Sequence, residues 1–170
     1  MPKTALVILN WNNWQDTIEC LASVFQSSAG DYRVILVDNG SRDDSIAQIT
    51  AWAKGGEAAP SNFLARTRLA APLTVVTYDC HSAENGGRVE AEAELAGLPA
   101  NRQLLLVRAE TNLGFAGGSN VGLRYALACG FDYALLLNND TVIANTALEI
   151  LTGFMDTQPA IDAATGQIRY

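Results

Sequence analysis

The sequence predicts an α/β protein with a doubly wound, mostly parallel sheet flanked by helices. Four apolar runs of strand length support this: Thr4–Asn10, Tyr32–Asp38, Gln103–Arg108 and Tyr133–Asn138. Continuous apolar runs are typical of strands that are buried on both faces. Helical patterns separate several of these runs, and a strand–helix–strand order favours parallel pairing. Three of the runs also end abruptly in a short polar side chain, Asn or Asp.

The two helices nearest the N-terminus have recognisable start signals. Asn13 has the position of an N-cap, with Asp16 three residues later. Ser41 and Asp44 repeat this spacing, which predicts a second helix that runs to about Ala53.

The segment from 54 to 101 interrupts this regular order and is predicted to be an irregular insertion. It is rich in Gly, Ala, Ser, Pro and charged residues. We expect one strand near Leu73–Thr77, a mobile loop over His81–Gly87 and a short helix over Glu90–Leu98. A long stretch of this kind is unusual in a compact domain and is often functional or disordered.

Regular structure is predicted again after residue 101. A helix that includes Val121 and Tyr125 follows the third apolar run and stops at Gly130, a favourable C-terminal residue. A further helix is expected over Asn145–Asp156, and a last strand over Ile161–Tyr170. Residues 1–170 are thus predicted to form a single domain.

Composition and charge exclude several classes of protein. The 170 residues are 49% hydrophobic and 17% charged, which is typical of one globular domain. A net charge of −7 offers no basic surface for nucleic acid, although backbone N–H groups and a metal can still neutralise a small anion. The three widely spaced cysteines fit reduced thiols, and no signal peptide or membrane span is evident. These features predict a cytoplasmic location.

Polar side chains converge at the predicted carboxyl edge of the sheet. Asn10–Asn12, Asp38 and Asn138–Asp140 each follow a strand, and open α/β sheets bind ligands at that edge. A carboxylate flanked by amides suits an oxygen-liganded divalent cation that also holds phosphates. The alternative for Asn138–Asp140 is a simple strand-to-turn junction, because Asn and Asp are common turn residues.

A glycine-rich turn, with Gly114, Gly117 and Gly118, leads into the helix that contains Tyr125. Such glycines let a backbone approach a ligand, and a helix N-terminus favours phosphate. The alternative is a flexible helix-entry loop. The spacing is neither the P-loop pattern nor the dinucleotide fingerprint, and no glycine follows the first strand, which argues against a dehydrogenase. Together with the acidic strand ends, the turn predicts a pocket for a nucleotide and a metal.

Aromatic and histidine side chains give weaker signals. Trp11 and Trp14 are interpreted as core aromatics that cover the sheet edge, in preference to stacking on a base. A Ser–His–Asp or Cys–His mechanism would need His81, the only histidine, and nothing in the sequence places a nucleophile beside it.

Four motifs in this order resemble those of family 2 glycosyltransferases of the GT-A fold. They are Val7–Asn12, Leu36–Asp43, Asn112–Gly122 and Leu137–Thr141. The pattern is most similar to the rhamnosyltransferase-like branch and covers nearly the whole chain. Each motif is moderately specific, whereas the four in order are strongly specific.

The resemblance implies a role for each site residue. Asp38 would accept a hydrogen bond from N3–H of uracil or thymine, because an ionised carboxylate is an acceptor only. Asp140 would bind the divalent cation, Mn²⁺ or Mg²⁺. Asn138 replaces the first Asp of the family's D-x-D motif, so one charge is lost there. The remaining residues would contact the base, ribose or diphosphate: Leu9, Asn10, Asn12, Asn112, Gly114, Gly117, Asn120, Asn138 and Asn139.

The reaction that the resemblance implies is inverting transfer of a sugar from a UDP- or dTDP-sugar, with dTDP-rhamnose suggested by the branch. The acceptor would be a glycan or lipid-linked molecule of a cell-surface polysaccharide, met at the inner face of the membrane. The family's general base lies well downstream of D-x-D, where Asp156 and Asp162 are the acidic candidates left, so the resemblance implies a sheet that is truncated at the C-terminus. The alternative is therefore a catalytically incomplete nucleotide-sugar-binding module. An exposed sheet edge would also favour homo-oligomers.

Overall fold

The computed structural model describes residues 3–56, 61, 64 and 67–166. A five-stranded, all-parallel sheet forms the centre of the molecule, in the order β3-β4-β2-β1-β5, and helices cover both faces. The strands are β1 (Thr4–Asn10), β2 (Tyr32–Asp38), β3 (Thr74–Asp79), β4 (Gln103–Arg108) and β5 (Tyr133–Asn138). The predicted doubly wound α/β class is confirmed.

Six α-helices connect or follow these strands in the described part of the chain. They are α1 (Trp14–Val24), α2 (Ser45–Ala53), α3 (Cys80–Glu84), α4 (Val89–Ala96), α5 (Gly114–Ala128) and α6 (Ala147–Thr157). Asn13 occupies the predicted N-cap position of α1, but its side chain donates to Asp16 and makes no capping hydrogen bond. No helix among the described residues combines the length and the apolar character that crossing a bilayer requires.

The start of α2 lies three residues later than predicted. Its N-cap is Asp44, and the Asp43 carboxylate accepts the N–H of Ser45 at 3.0 Å. Ser41 does not cap the helix, because its hydroxyl accepts hydrogen bonds from the Asn10 amide and from the backbone N–H of Asn12, each at 3.0 Å. The predicted capping residue therefore joins two strand ends instead.

The segment 54–101 is more regular than predicted where the structure describes it. The expected strand is present as β3, which pairs in parallel with β4, and the expected helix is present as α4. The loop predicted over His81–Gly87 is partly wrong, because Cys80–Glu84 forms α3. The Asp79 side chain accepts the N–H of Ser82 at 2.6 Å, and this cap satisfies a donor that a short helix would otherwise leave unpaired.

The strand β5 is an edge strand and not the doubly buried strand that its apolar sequence predicts. Its residues alternate between partly buried and exposed, and Leu136 is 44% exposed. Leu135 and Leu137 pack against the core on one face, whereas the side chains on the other face are exposed to solvent. The last strand predicted over Ile161–Tyr170 does not form up to residue 166, and 167–170 lie outside the described residues.

The core consists of two apolar layers, one on each face of the sheet. The first lies between the sheet and helices α1 and α2, and includes Leu6, Ile8, Ile18, Leu21, Leu36 and Trp52. The second lies between the sheet and helices α3, α4 and α5, and includes Val7, Ile35, Val37, Ala83, Leu95, Leu105 and Tyr125. Burial of this apolar area is the main stabilising term of the fold.

A buried polar cluster attaches α4 to the sheet. The Arg33 side chain, which is 5% exposed, forms an ion pair with Glu92 of α4 at 2.5 Å. It also donates to Gln103 of β4 and to the Tyr125 hydroxyl of α5. A buried ion pair contributes little net stability, but breaking it is costly. The cluster therefore sets where the irregular segment docks.

Two glycines let α5 lie unusually close to β1. A Cβ atom added at Gly118 would lie 2.8 Å from Leu9 Cδ2, and one at Gly122 would lie 2.5 Å from Val7 Cγ1. Both residues are buried. Gly118 and Gly122 therefore serve close helix–sheet packing, in addition to any ligand contact.

Replacing Gly122 by alanine should destabilise the protein by about 1–3 kcal/mol, because the added methyl group overpacks the contact with Val7. Urea denaturation measures this. Gly153→Ala in α6 is the matched control, since its Cβ would meet no atom within 4 Å. The control should raise stability by up to about 1 kcal/mol. Equal effects of the two substitutions would contradict the packing argument.

Stability should fall as the pH rises above about 9, because burial raises the pKa of the Cys20 thiol to about 12 and also raises that of Tyr32 to about 12. The unfolded state ionises these groups at lower pH than the folded state, so their contribution is complete below the unfolded pKa and is lost above it. Unfolding titrations at several pH values test this, and Cys20→Ala should lose less stability over the same interval.

Candidate functional site

A cavity of about 640 Å³ opens at the carboxyl edge of the sheet, where β1, β2 and β4 end. It is lined by Trp11, Asn12, Asp38, Gly40, Ser41, Arg42, Ile46, Arg108, Ala109, Glu110, Thr111 and Asn112. Three of the predicted site residues, Asn12, Asp38 and Asn112, thus line one cavity. Its volume is in the range of small-molecule sites.

Asp38 is the most buried acid at this cavity, with 1% of its surface exposed. One carboxylate oxygen accepts the Asn10 amide at 2.8 Å, and the other accepts the backbone N–H of Ser41 at 3.1 Å. Each oxygen of an ionised carboxylate has two acceptor positions. Asp38 is therefore held rigidly and still has capacity to accept a donor from a ligand.

A chain of hydrogen bonds crosses the sheet edge and connects Asp38 with the end of β5. Asn10 donates to Asp38, and its carbonyl oxygen accepts the Thr17 hydroxyl of α1 at 2.8 Å. The Thr17 hydroxyl in turn accepts the Asn139 amide at 2.9 Å. Thr17 also lies within hydrogen-bond distance of Asn13 O, but the fully buried Asn10 oxygen has the greater need for a donor. Asn10 and Asn139 therefore position other groups through their side chains.

Asn39, which the sequence analysis did not single out, connects the end of β2 with the start of α5. Its amide donates to the side chain of Asn112 at 3.0 Å and to Gly114 O at 3.1 Å, and its oxygen accepts the N–H of Leu113. The Asn112 oxygen also accepts the N–H of Gly114 at 2.7 Å. Asn112 is thus a helix-entry residue as well as a lining residue.

Gly40 allows two loops to touch at the cavity wall. Its φ is +73°, a conformation that side-chain-bearing residues rarely adopt, and a Cβ atom there would lie 2.5 Å from the carbonyl carbon of Thr111. The N-G sequence after β2 therefore has a tertiary role in addition to forming a turn.

Trp11 lies at the cavity and not in the core. It is 55% exposed, so its interpretation as a core aromatic is wrong, whereas Trp14 does pack against the first apolar layer. The strand Thr4–Asn10 ends directly before Trp11, and the residue after it, Asn12, has a φ of +51°. This sharp change of direction places the indole outside the core.

Two arginines at the cavity were also missed, Arg42 and Arg108. Arg42 falls within the Leu36–Asp43 motif, which gives it no role, and Arg108 belongs to none of the four motifs. Arg108 is the last residue of β4 and pairs with Asp38 in the ladder between β2 and β4. Only the strand order, which places β4 next to β2, reveals that this arginine lies beside the acid.

The remaining predicted residues do not line this cavity. Asp140 and Asn138 are exposed at the end of β5, and Asn120 is exposed on α5. Gly114 is exposed at the start of α5, with a φ of +71° and no neighbour near its missing Cβ. Gly117 lies next to the side chain of Leu113, four residues earlier in the chain. The predicted site therefore extends along the sheet edge beyond the cavity.

The residues at the end of β5 fit a cation that is shared with a ligand. No cluster of three or more His, Cys, Asp or Glu side chains capable of holding a metal occurs within 3–56, 61, 64 and 67–166. Asp140 supplies one carboxylate, and Asn138 has an exposed amide nearby in sequence. Mg²⁺ commonly binds through one or two carboxylates together with substrate phosphates. The donor set is compatible with that mode and not with an all-protein cage.

Glu110 is the second acid that lines the cavity and is exposed, whereas the histidine and the two acids considered as general bases lie elsewhere. His81 is exposed on α3, and Asp156 of α6 accepts the Tyr133 hydroxyl at 2.8 Å. Asp162 is exposed after α6. Neither acid is a lining residue.

Asn10→Ala should destabilise the protein by about 1–3 kcal/mol, because it removes one hydrogen-bond partner each from the buried Asp38 carboxylate and the Thr17 hydroxyl. Chemical denaturation measures the change. Asn101→Ala, an exposed substitution of the same kind, should change stability by less than about 0.5 kcal/mol. A small effect of Asn10→Ala would show that the hydrogen-bond chain does not hold this edge.

Comparisons with known proteins bear on the fold and on the first third of the sequence. Residues 5–67 match the family model described as glycosyl transferase family 2. This stretch includes β1, β2 and Asp38, but neither Asp140 nor the glycine-rich turn. No curated protein gives a significant match.

Among solved structures, the chain is similar to S. aureus TarS 1–349, with a TM-score of 0.55 and 17% sequence identity. The match covers 97% of this chain and 38% of that one. The all-parallel sheet flanked by helices matches the GT-A glycosyltransferase fold.

Proposed function

We propose that this chain is the donor-binding part of an inverting glycosyltransferase that uses a UDP- or dTDP-linked sugar. The observation that carries the proposal is the cavity at the carboxyl edge of the sheet, with the rigidly held Asp38 in its wall. The GT-A fold and the family match over residues 5–67 support it independently.

Asp38 recognises the base in this proposal. A buried carboxylate that already accepts two hydrogen bonds has acceptor positions left and no donor to offer. It therefore pairs with the N3–H of uracil or thymine. Trp11, exposed at the same cavity, offers an aromatic face for the base, and Asn12 and Asn112 border the ribose.

The diphosphate occupies the sheet edge between the start of α5 and the end of β5. Gly114, Gly117 and Asn120 border it, and Leu9 and Asn10 support the base end from β1. Asp140, with Asn138 beside it, holds a divalent cation that neutralises charge on the departing nucleoside diphosphate. The Asn139 amide, bonded to Thr17, keeps this turn against α1.

The acceptor attacks the anomeric carbon, and its hydroxyl proton passes to a general base. A glycan or lipid-linked acceptor of cell-surface polysaccharide synthesis, met at the inner face of the membrane, is part of the proposal, as is dTDP-rhamnose as a donor. The chain spans 38% of the length of TarS 1–349. The acceptor and the general base are therefore not assigned to residues of this chain.

A second candidate is a binding module that holds the nucleotide sugar without transferring it. The positions of Asp156 and Asp162 favour it, because neither acid lines the cavity and Asp156 is bonded to Tyr133. Slow hydrolysis of a UDP- or dTDP-sugar in the absence of acceptor separates the two candidates. Turnover that requires Asp140 supports the transferase, whereas binding without any turnover supports the module.

Calorimetric titration with UDP and dTDP, with and without Mn²⁺, should detect binding that weakens at least about tenfold in Asp38→Asn, since a charge-assisted hydrogen bond is lost. The amide introduced at position 38 can donate an N–H to the unprotonated N3 of cytosine, so the variant should discriminate less strongly against cytosine nucleotides. Asp140→Asn should remove most of the Mn²⁺-dependent gain and leave metal-free binding unchanged.

Asp31→Asn is the matched control, because Asp31 is exposed and lies just before the opposite end of β2. It should bind both nucleotides like the wild-type chain. Failure of the folded wild-type chain to bind either nucleotide, or equal binding by Asp38→Asn, would overturn the proposed function.

A further inference from the structure

Arg108 lies next to Asp38 at the end of the neighbouring strand. The two residues are register partners in the parallel ladder between β2 and β4. Register partners direct their side chains to the same face of a sheet, and adjacent strands lie about 4.8 Å apart. Both residues line the 640 Å³ cavity.

The Arg108 guanidinium is uncommitted within the described residues. The two ion pairs found there are Arg33–Glu92 and Arg124–Glu84, and neither involves Arg108. Asp79, its register partner on β3, instead accepts the N–H of Ser82. Outside the sheet ladders, Arg108 forms a hydrogen bond through its backbone oxygen, which accepts the Cys80 thiol. Five guanidinium N–H donors therefore remain for a ligand.

We infer that Arg108 selects the base of the donor, by donating to a carbonyl oxygen that flanks the N3–H bound by Asp38. This inference rests on the proposed function and specifies how its base pocket discriminates. Uracil and thymine present an acceptor on each side of that N–H, so the Asp38–Arg108 pair matches two adjacent groups of one base edge. Cytosine presents an unprotonated N3 to the Asp38 carboxylate, which is an unfavourable contact of two acceptors.

The strand order favours the base over the diphosphate as the partner of Arg108. Two strands, β2 and β1, lie between β4 and β5, so Arg108 is about 14 Å from the strand that carries Asn138, at about 4.8 Å for each strand. In the proposed function, the diphosphate lies toward Asp140. Arg42 also lines the cavity, but it belongs to the loop after β2 and has no register relation to Asp38.

The test measures binding of UDP and UMP to the full chain and to Arg108→Met, with base analogues as a second readout. Arg108→Met should weaken UDP and UMP binding by the same factor, about tenfold for the loss of one charge-assisted hydrogen bond. Wild-type protein should prefer UDP to 2-thio-UDP or 4-thio-UDP, because a thiocarbonyl is a weaker acceptor. Arg108→Met should lose that preference.

Arg102→Met is the control, since Arg102 is exposed and precedes β4 at the opposite end of the strand. It should bind like the wild type. Arg42→Met should weaken binding without changing the preference between UDP and the thio analogues. Circular dichroism confirms that each variant is folded.

Three results would overturn the inference while leaving the proposed function intact. One is unchanged UDP binding in Arg108→Met when Asp38→Asn still reduces it. The second is a loss for UDP that is absent for UMP, which would assign Arg108 to the β-phosphate. The third is an unaltered preference between UDP and both thio analogues in Arg108→Met. Absence of any nucleotide binding by the wild-type chain would instead overturn the proposed function, and the inference with it.

Discussion

The arrangement of the candidate site depends on the buried side chain of Asn10. Its amide donates to Asp38 and Ser41, and its oxygen accepts the Thr17 hydroxyl. One fully buried residue therefore joins the ends of β1 and β2 to α1, and through Thr17 to Asn139. Leaving any of these buried groups unpaired would cost more than the net gain of a typical hydrogen bond. The constraint keeps Asp38 and the end of β5 in one rigid unit.

A second set of contacts brings α5 to this edge. Asn39 binds the Asn112 side chain and Gly114 O, and Gly118 and Gly122 allow the helix to lie close to Leu9 and Val7. The glycines that suggested a phosphate loop thus have a packing role that sequence alone does not reveal. Both roles are compatible, because the exposed Gly114 precedes the buried ones along the helix.

Two arginines on neighbouring strands, Arg33 and Arg108, lie at opposite ends of the sheet and differ in their contacts. Arg33 is buried and saturated by Glu92, Gln103 and Tyr125, so its charge fixes α4 and is not available to a ligand. Arg108, at the opposite end of the neighbouring strand, has no side-chain partner among the described residues and lines the cavity. Burial and saturation are typical of a structural charge, whereas an unpaired charge in a cavity beside an acid indicates recognition.

The sequence by itself determined the α/β class, the bounds of β1 and β2, and the position of Asp38 at the end of a strand. These features follow from local signals, namely continuous apolar runs and the short polar residues that end them. Tertiary structure decided what no local signal carries. The strand order placed Arg108 beside Asp38, and the edge position of β5 left Leu136 exposed. The turn at Asn12 moved Trp11 from the core to the cavity, and Ser41 joined Asn10 instead of capping α2. Each of these depends on contacts between residues that are distant in sequence, and only the packed sheet specifies such contacts.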